Sequence, residues 1–199
     1  MNLITATTIV LICSNTVVLA NECREKFITI AADATPKGPL KMVVTSFLNG
    51  KKTMKSNFFQ LHVDHWLNEG LSPKGMPSTL AYQHSMYNSF DNGKSWKKVG
   101  DLDAEKGRRE GLKQLMEDVK TTSNATCGEE VIEGVSYNWV EADYNSLKDE
   151  KTKYHNKYWT IAKTNWLAKT SSQIINPNYK TLVIQTIEKA PNLSLPTPK

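Results

Sequence analysis

Charge is missing from the first 20 residues, MNLITATTIVLICSNTVVLA, and arginine is nearly missing from the rest: Arg24, Arg108 and Arg109 are the only three. The 199-residue chain has three cysteines, Cys13, Cys23 and Cys127, and no Cys-x-x-Cys pair. It lacks a GxSxG nucleophile elbow, an HExxH helix, a GxxxxGK[ST] loop and a GxGxxG turn. These absences remove the common hydrolase, zinc-protease and nucleotide-binding readings. The scarcity of arginine, with lysine spread along the chain, argues against a nucleic-acid module, where cations cluster. Outside the N-terminus no run is apolar enough to span a bilayer, which needs about 20 residues.

What the N-terminus does contain is an apolar run from Leu3 to Cys13, followed by Val18 and Ala20 at the small-residue positions of a cleavage site. That pattern reads as a signal peptide over residues 1–20, with Asn21 as the new N-terminus and a periplasmic or secreted protein as the product. No Lys or Arg precedes the run, and an uncleaved anchor is the competing reading. Removal of residues 1–20 leaves Cys23 and Cys127. In an oxidising compartment they most simply form one disulfide, closing a loop of about 100 residues. A free or intermolecular thiol is the alternative. The net charge of +5 belongs wholly to residues 21–199. It fits a soluble basic surface, with peripheral contact to anionic lipid as a second use.

Hydropathy patterning predicts one domain over residues 21–190 and a Pro-rich tail over 191–199. A short amphipathic helix is expected at 22–33, with Phe27, Ile30 and Ala31 on one face, and a linker at 34–39. Strands are expected at 40–48 and 52–63 about the Asn49-Gly50 turn. Residues 67–78, punctuated by Gly70, Pro73, Gly75 and Pro77, read as a loop. A strand at 79–90 leads through Asp91-Asn92-Gly93 to a short strand holding Trp96 and Val99. The clearest helix is 101–120, with Leu112, Leu115, Met116 and Val119 in register and Asp101 or Asp103 as cap. Strands follow at 129–132, 135–144, 157–164, 167–174 and 181–189. The fold class is therefore α+β, mostly β: a curved antiparallel meander sheet, a half-barrel, wrapped around one or two helices.

Four segments carry a family resemblance: VVTSFLNGKKTMKSNFF, YNSFDNGKSWKKV, CGEEVIEGVSYNWVEADY and KYWTIAKTNWLAKTSSQI. In this order, after an exported N-terminus and a helix, they resemble the hairpins of the LolA-like (lipoprotein localisation factor) superfamily. The last departs from the family pattern, since Thr164-Asn165-Trp166-Leu167 stands where Gly-Leu-Pro is usual. The resemblance implies a half-barrel with an apolar concave side for acyl chains. It transfers no functional residue, because the family has no fixed catalytic motif.

Alternation along the strands places Phe59 with Leu61, Tyr82 with His84 and Met86, Tyr137 with Trp139, and Trp159 with Ile161. Phe59, Leu61, Tyr82, Met86, Tyr137, Trp139, Trp159 and Ile161 are the candidate lining of the concave face, with core packing as the competing role. His62, Asp64 and His84 are the one metal-type grouping; a zinc site needs all three to converge, and a surface role is the better reading. The carboxylates Glu129, Glu130, Glu133, Glu141 and Asp143 fit a solvated sheet face better than an acid/base pair. No cofactor and no metal are expected. The expected function is an exported, non-enzymatic binding protein for a hydrophobic or amphipathic ligand such as a lipid. The alternative is a periplasmic protein-interaction or sensor domain, using a sheet edge or the 67–78 loop.

Overall fold

The computed structural model describes residues 14–33 and 38–198, with side chains from residue 19. Residues 1–13, most of the expected signal peptide, lie outside the described residues. Helix α1 runs over Ser14–Ala32, and β1 (Leu40–Leu48) and β2 (Lys51–His62) form the first hairpin. Then come β3 (His65–Ser72), β4 (Ser78–Tyr82), β5 (Ser85–Ser89) and β6 (Lys97–Asp101). Helix α2 (Ala104–Asp118) ends in a 3-10 turn, Val119–Thr121. The last five strands are β7 (Ser123–Ile132), β8 (Val135–Asn145), β9 (Lys153–Ile161), β10 (Leu167–Asn176) and β11 (Tyr179–Lys189).

All eleven strands form one antiparallel sheet in the order β6-β5-β4-β3-β2-β1-β11-β10-β9-β8-β7. First and last strands pair along their whole length, from Leu40↔Lys189 to Leu48↔Thr181. The edges, β6 and β7, are joined by α2. Laid flat, the sheet would be about 48 Å wide at ~4.8 Å per interval. Fifteen helical residues cover about 22 Å, and the flanking residues add at most about 20 Å when extended. The sheet therefore curls towards its helix side, giving the expected half-barrel.

Local sequence accounts for most turns. Asn49 and Gly50 adopt φ of 50° and 79°, and Asn92 and Gly93 adopt 58° and 84°, the positive pairs such turns require. Asp103 caps α2 by accepting a hydrogen bond from the Lys106 N–H at 2.9 Å. Two expected elements are corrected. The 67–78 segment is not all loop: its first half belongs to β3, begun by a turn at Val63-Asp64, and only 73–77 connects β3 to β4. Gly70 lies within that strand because Met76 folds back over it; a Cβ at Gly70 would stand 2.6 Å from the Met76 Cβ. The 79–90 strand is two strands, broken at Gln83 and His84, which take φ of 45° and 62° without any glycine.

The core sits between α1 and one half of the sheet. Phe27 is fully buried, its ring 5.5 Å from that of Tyr158 and 6.0 Å from that of Tyr144. Ala31, Val119, Val140 and Ala142 complete the cluster. The expected disulfide is present: Cys23 on α1 joins Cys127 on β7, 104 residues apart. It fastens the helix to the edge strand. The tail turns back across the sheet, with Ala190 N–H donating to Pro39 O at 2.9 Å and His65 Nε2 lying 3.2 Å from Pro196 O.

Candidate functional site

Cross-strand partners share a face, so the register divides the sheet into two surfaces. Cys127 is bonded to α1 and therefore marks the inner, helix-side face. Its row runs Cys127, Val140, Tyr158, Thr170, Gln185, Val44, Ser56 and Gly70. The adjacent row, Gly128, Trp139 and Trp159, is one residue out of phase with Cys127, Val140 and Tyr158. Trp139 and Trp159 thus belong to the outer face.

The candidate residues divide accordingly. Tyr137 pairs with Ile161 and joins Trp139 and Trp159 on the outer face. Phe59 pairs with Leu67, which pairs with Leu80, so Phe59 is also outer, as is Tyr82 two residues from Leu80, while Leu61 is the extra residue of a bulge between Gln60 and His62. Met86 pairs with Ala81, not Tyr82, and is the one candidate on the inner face. The expected Tyr82–His84–Met86 grouping is therefore wrong, because the turn at 83–84 reverses the chain between its members. Six of the eight expected lining residues face away from the helices.

Tyr137, Trp159 and Ile161 of the outer face line a cleft of about 720 Å³ with Trp166 and Lys169, and Lys189 borders it from the end of β11. Lysine ammonium groups stand over the rings: Lys157 is 4.1 Å from Trp139, Lys169 4.7 Å from Trp159 and Lys189 4.8 Å from Trp166. The Trp159 indole N–H donates to Glu130, and that of Trp166 to Ile187 O at 3.3 Å. Trp139 lies over Gly128, where a Cβ would come within 3.1 Å of the ring. Nearby, Asp143 is 2.8 Å from His155 Nδ1. Burial pushes the Asp143 carboxyl up, but hydrogen bonds from Asn124 and His155 outweigh it and hold the group below the ordinary carboxylate range. These groups are already paired with one another, as on a solvated, cross-linked sheet surface.

The inner face of the other half differs. Met42, Val44, Met54, Phe58, Trp66 and Met86 all belong to it by register. Each is half-buried. Phe58 and Trp66 lie ring to ring, 5.4 Å apart. The main packing partners of α1 are β7, β8 and α2, and residues 105–111 of α2 are exposed. Met76 covers Gly70 on this face. Ser56 Oγ, Asn156 Oδ1 and Thr181 Oγ1 are buried without a hydrogen-bond partner among the described residues, and all three belong to the inner face. Of this row the sequence pattern finds Met86 alone; its β2 members are hidden by a bulge at Thr53, where Phe47 pairs with Lys52 but Ser46 with Met54, which exchanges the faces of β2.

The metal-type residues do not converge. His62 and His65 face each other across a turn with ring centroids 6.3 Å apart, and Asp64 lies in the turn itself. Among the described residues no group of three His, Cys, Asp or Glu side chains is placed to hold a metal ion.

No family model matches the chain, and no curated protein matches it. Several solved structures are similar in fold, among them the following two. A domain from Vibrio parahaemolyticus, named for outer membrane lipoprotein sorting, matches at 12% identity with a TM-score of 0.36. The match covers 86% of this chain and 95% of that one. A LolA superfamily protein from Nitrosomonas europaea matches at 8% identity and a TM-score of 0.36, covering 89% of this chain and 95% of its own. Function does not transfer at that distance.

Proposed function

We propose that the protein is an exported, non-enzymatic binding protein for a hydrophobic or amphipathic ligand such as an acyl chain, held on the inner face of β1–β5. The observation that carries this reading is the row Met42, Val44, Met54, Phe58, Trp66 and Met86, apolar and only half-buried on the side that the helices leave least covered. A curved sheet offers such a row to a chain-like ligand, and methionine adapts to ligands of differing shape. Ser56, Asn156 and Thr181 supply polar atoms on the same face to fix an amphipathic ligand's orientation. The disulfide supports work in an oxidising compartment.

Native mass spectrometry of the purified protein, with lipid extraction, tests the reading. A copurifying lipid, or displacement of a bound fluorescent fatty acid, is the expected result. A protein that carries no lipid and binds neither fatty acid nor apolar dye has another function.

A further inference from the structure

The two ends of the sheet differ in both charge and apolar exposure. At one end lie the connections 48–52, 71–78, 89–97, 145–153 and 175–180. The register places them together, since Leu48 pairs with Thr181, and Lys153 pairs with both Asn145 and Ile175. They contain nine lysines against three carboxylates, Asp91, Asp149 and Glu150, a surplus of six in a chain whose total is +5. The opposite connections, 62–65, 82–85, 101–104, 132–135 and 161–167, hold one lysine against four carboxylates. Each lysine-rich connection also displays a large apolar side chain. Leu48, Leu71, Phe90, Leu147, Ile175 and Tyr179 are all exposed, Phe90 most of all at 78%. At the opposite end, among these connections and the strand residues that flank them, only the β7–β8 hairpin does so, with Val131 and Val135.

We propose that this lysine-rich end is a docking surface for an anionic lipid bilayer. Exposed leucine and aromatic side chains on separate hairpin tips enter the headgroup boundary, while lysines around them meet anionic headgroups. Two of the three carboxylates are turned into their own loops. Asp91 accepts from Ser89 Oγ at 2.7 Å and Ser95 Oγ at 2.6 Å, and Asp149 from Thr152 Oγ1 at 2.6 Å. The rim is also braced across strands: Asn49 N–H donates to Lys180 O at 2.7 Å and Lys180 N–H to Asn49 Oδ1 at 2.8 Å. The apolar tips are thus presented on tied turns. An acidic protein partner would use the lysines but would not require large apolar side chains on five separate tips. The surface goes beyond the ligand reading and uses none of the inner-face residues assigned to it.

Co-sedimentation of the full-length chain with vesicles of phosphatidylcholine, with and without phosphatidylglycerol, tests the proposal. Every variant keeps the apolar N-terminus, so its contribution is common to all. The chain is expected to bind the phosphatidylglycerol vesicles more tightly than the neutral ones. Joint replacement Lys51→Glu, Lys94→Glu, Lys148→Glu and Lys180→Glu is expected to weaken that binding about a hundredfold or more. The matched replacement Lys106→Glu, Lys113→Glu, Lys163→Glu and Lys189→Glu changes the net charge equally and is expected to cost several-fold at most. Phe90→Ser with Leu147→Ser should weaken binding about tenfold with the lysines intact. Circular dichroism confirms that each variant is folded. Equal losses in the two lysine sets, no preference for anionic vesicles, or no effect of the apolar pair overturns the proposal. An acidic protein partner remains as the outcome where the lysines matter and lipid does not. Fatty-acid binding, measured separately, is unchanged in the rim variants if both readings hold.

Discussion

The half of the sheet built from β7–β9 and the half built from β1–β5 expose the same kind of inner face to different fates. In the first, Phe27 and Ala31 from α1 and Val119 beyond α2 close over Val140, Ala142 and Tyr158, and all of these side chains are buried. In the second, Met42, Phe58, Trp66 and Met86 remain half-buried. The difference lies in helix supply. Helix α1 is tied to β7 by the disulfide and packs on β7 and β8, while the apolar side chains of α2 fall in its second half. One half of the sheet is closed by the helices, and the other leaves its apolar side chains half-buried.

Substitutions should separate the halves. Phe27→Ala removes the centre of the covered half and is expected to cost about 3–5 kcal/mol in chemical denaturation. Phe58→Ala should cost less than half of that, because its ring is only partly buried. Equal losses would mean that the two halves are packed alike. Cys23→Ala with Cys127→Ala should cost about 2–5 kcal/mol and free α1 from the edge strand, which hydrogen exchange in α1 and β7 would report.

Alkaline pH also distinguishes the halves. Burial pushes the Tyr158 and Tyr144 hydroxyls above the ordinary tyrosine range. Their neutral forms are favoured in the folded chain, so their contribution is intact below pH ~10 and falls as unfolded-state tyrosines ionise above it. Stability should decline above about pH 10, and Tyr158→Phe should flatten that decline. The smallest expected effect is that of Asp103→Ala, about 1 kcal/mol from the lost α2 cap, read as a shift in thermal midpoint.

Much of the architecture is legible in the sequence, because its cues are local. The 40–48 strand, the Asn49-Gly50 turn, the Asp103 cap and the Cys23–Cys127 pair all follow from residues whose chemistry acts at short range or has one available partner. Faces are harder to read. They depend on every register shift between a residue and the helices, and single bulges are nearly silent in sequence. Thr53 reverses β2, and the Gln83-His84 turn splits a strand without a glycine to announce it. The Thr53 bulge turns Phe58 rather than Phe59 inward, the Gln83-His84 turn separates Tyr82 from Met86, and Trp66 belongs to a strand where the punctuation of 67–78 predicts a loop. Alternation groups Tyr137 with Trp139 and Trp159 with Ile161, but the common orientation of these residues away from α1 depends on the position of Cys127, two strands away from Trp159.

The central contrast is most directly tested by titrating a fluorescent fatty acid into two folded variants. Met42→Asp with Phe58→Asp places charge on the open inner face; Tyr137→Ser with Trp159→Ser strips the outer aromatic cleft. The expected result is at least about a tenfold loss of affinity in the inner-face variant, from burying charge against the ligand, and little change in the outer-face variant. Retained binding in the inner-face variant, with loss in the outer-face one, would contradict the assignment of the ligand to the helix side.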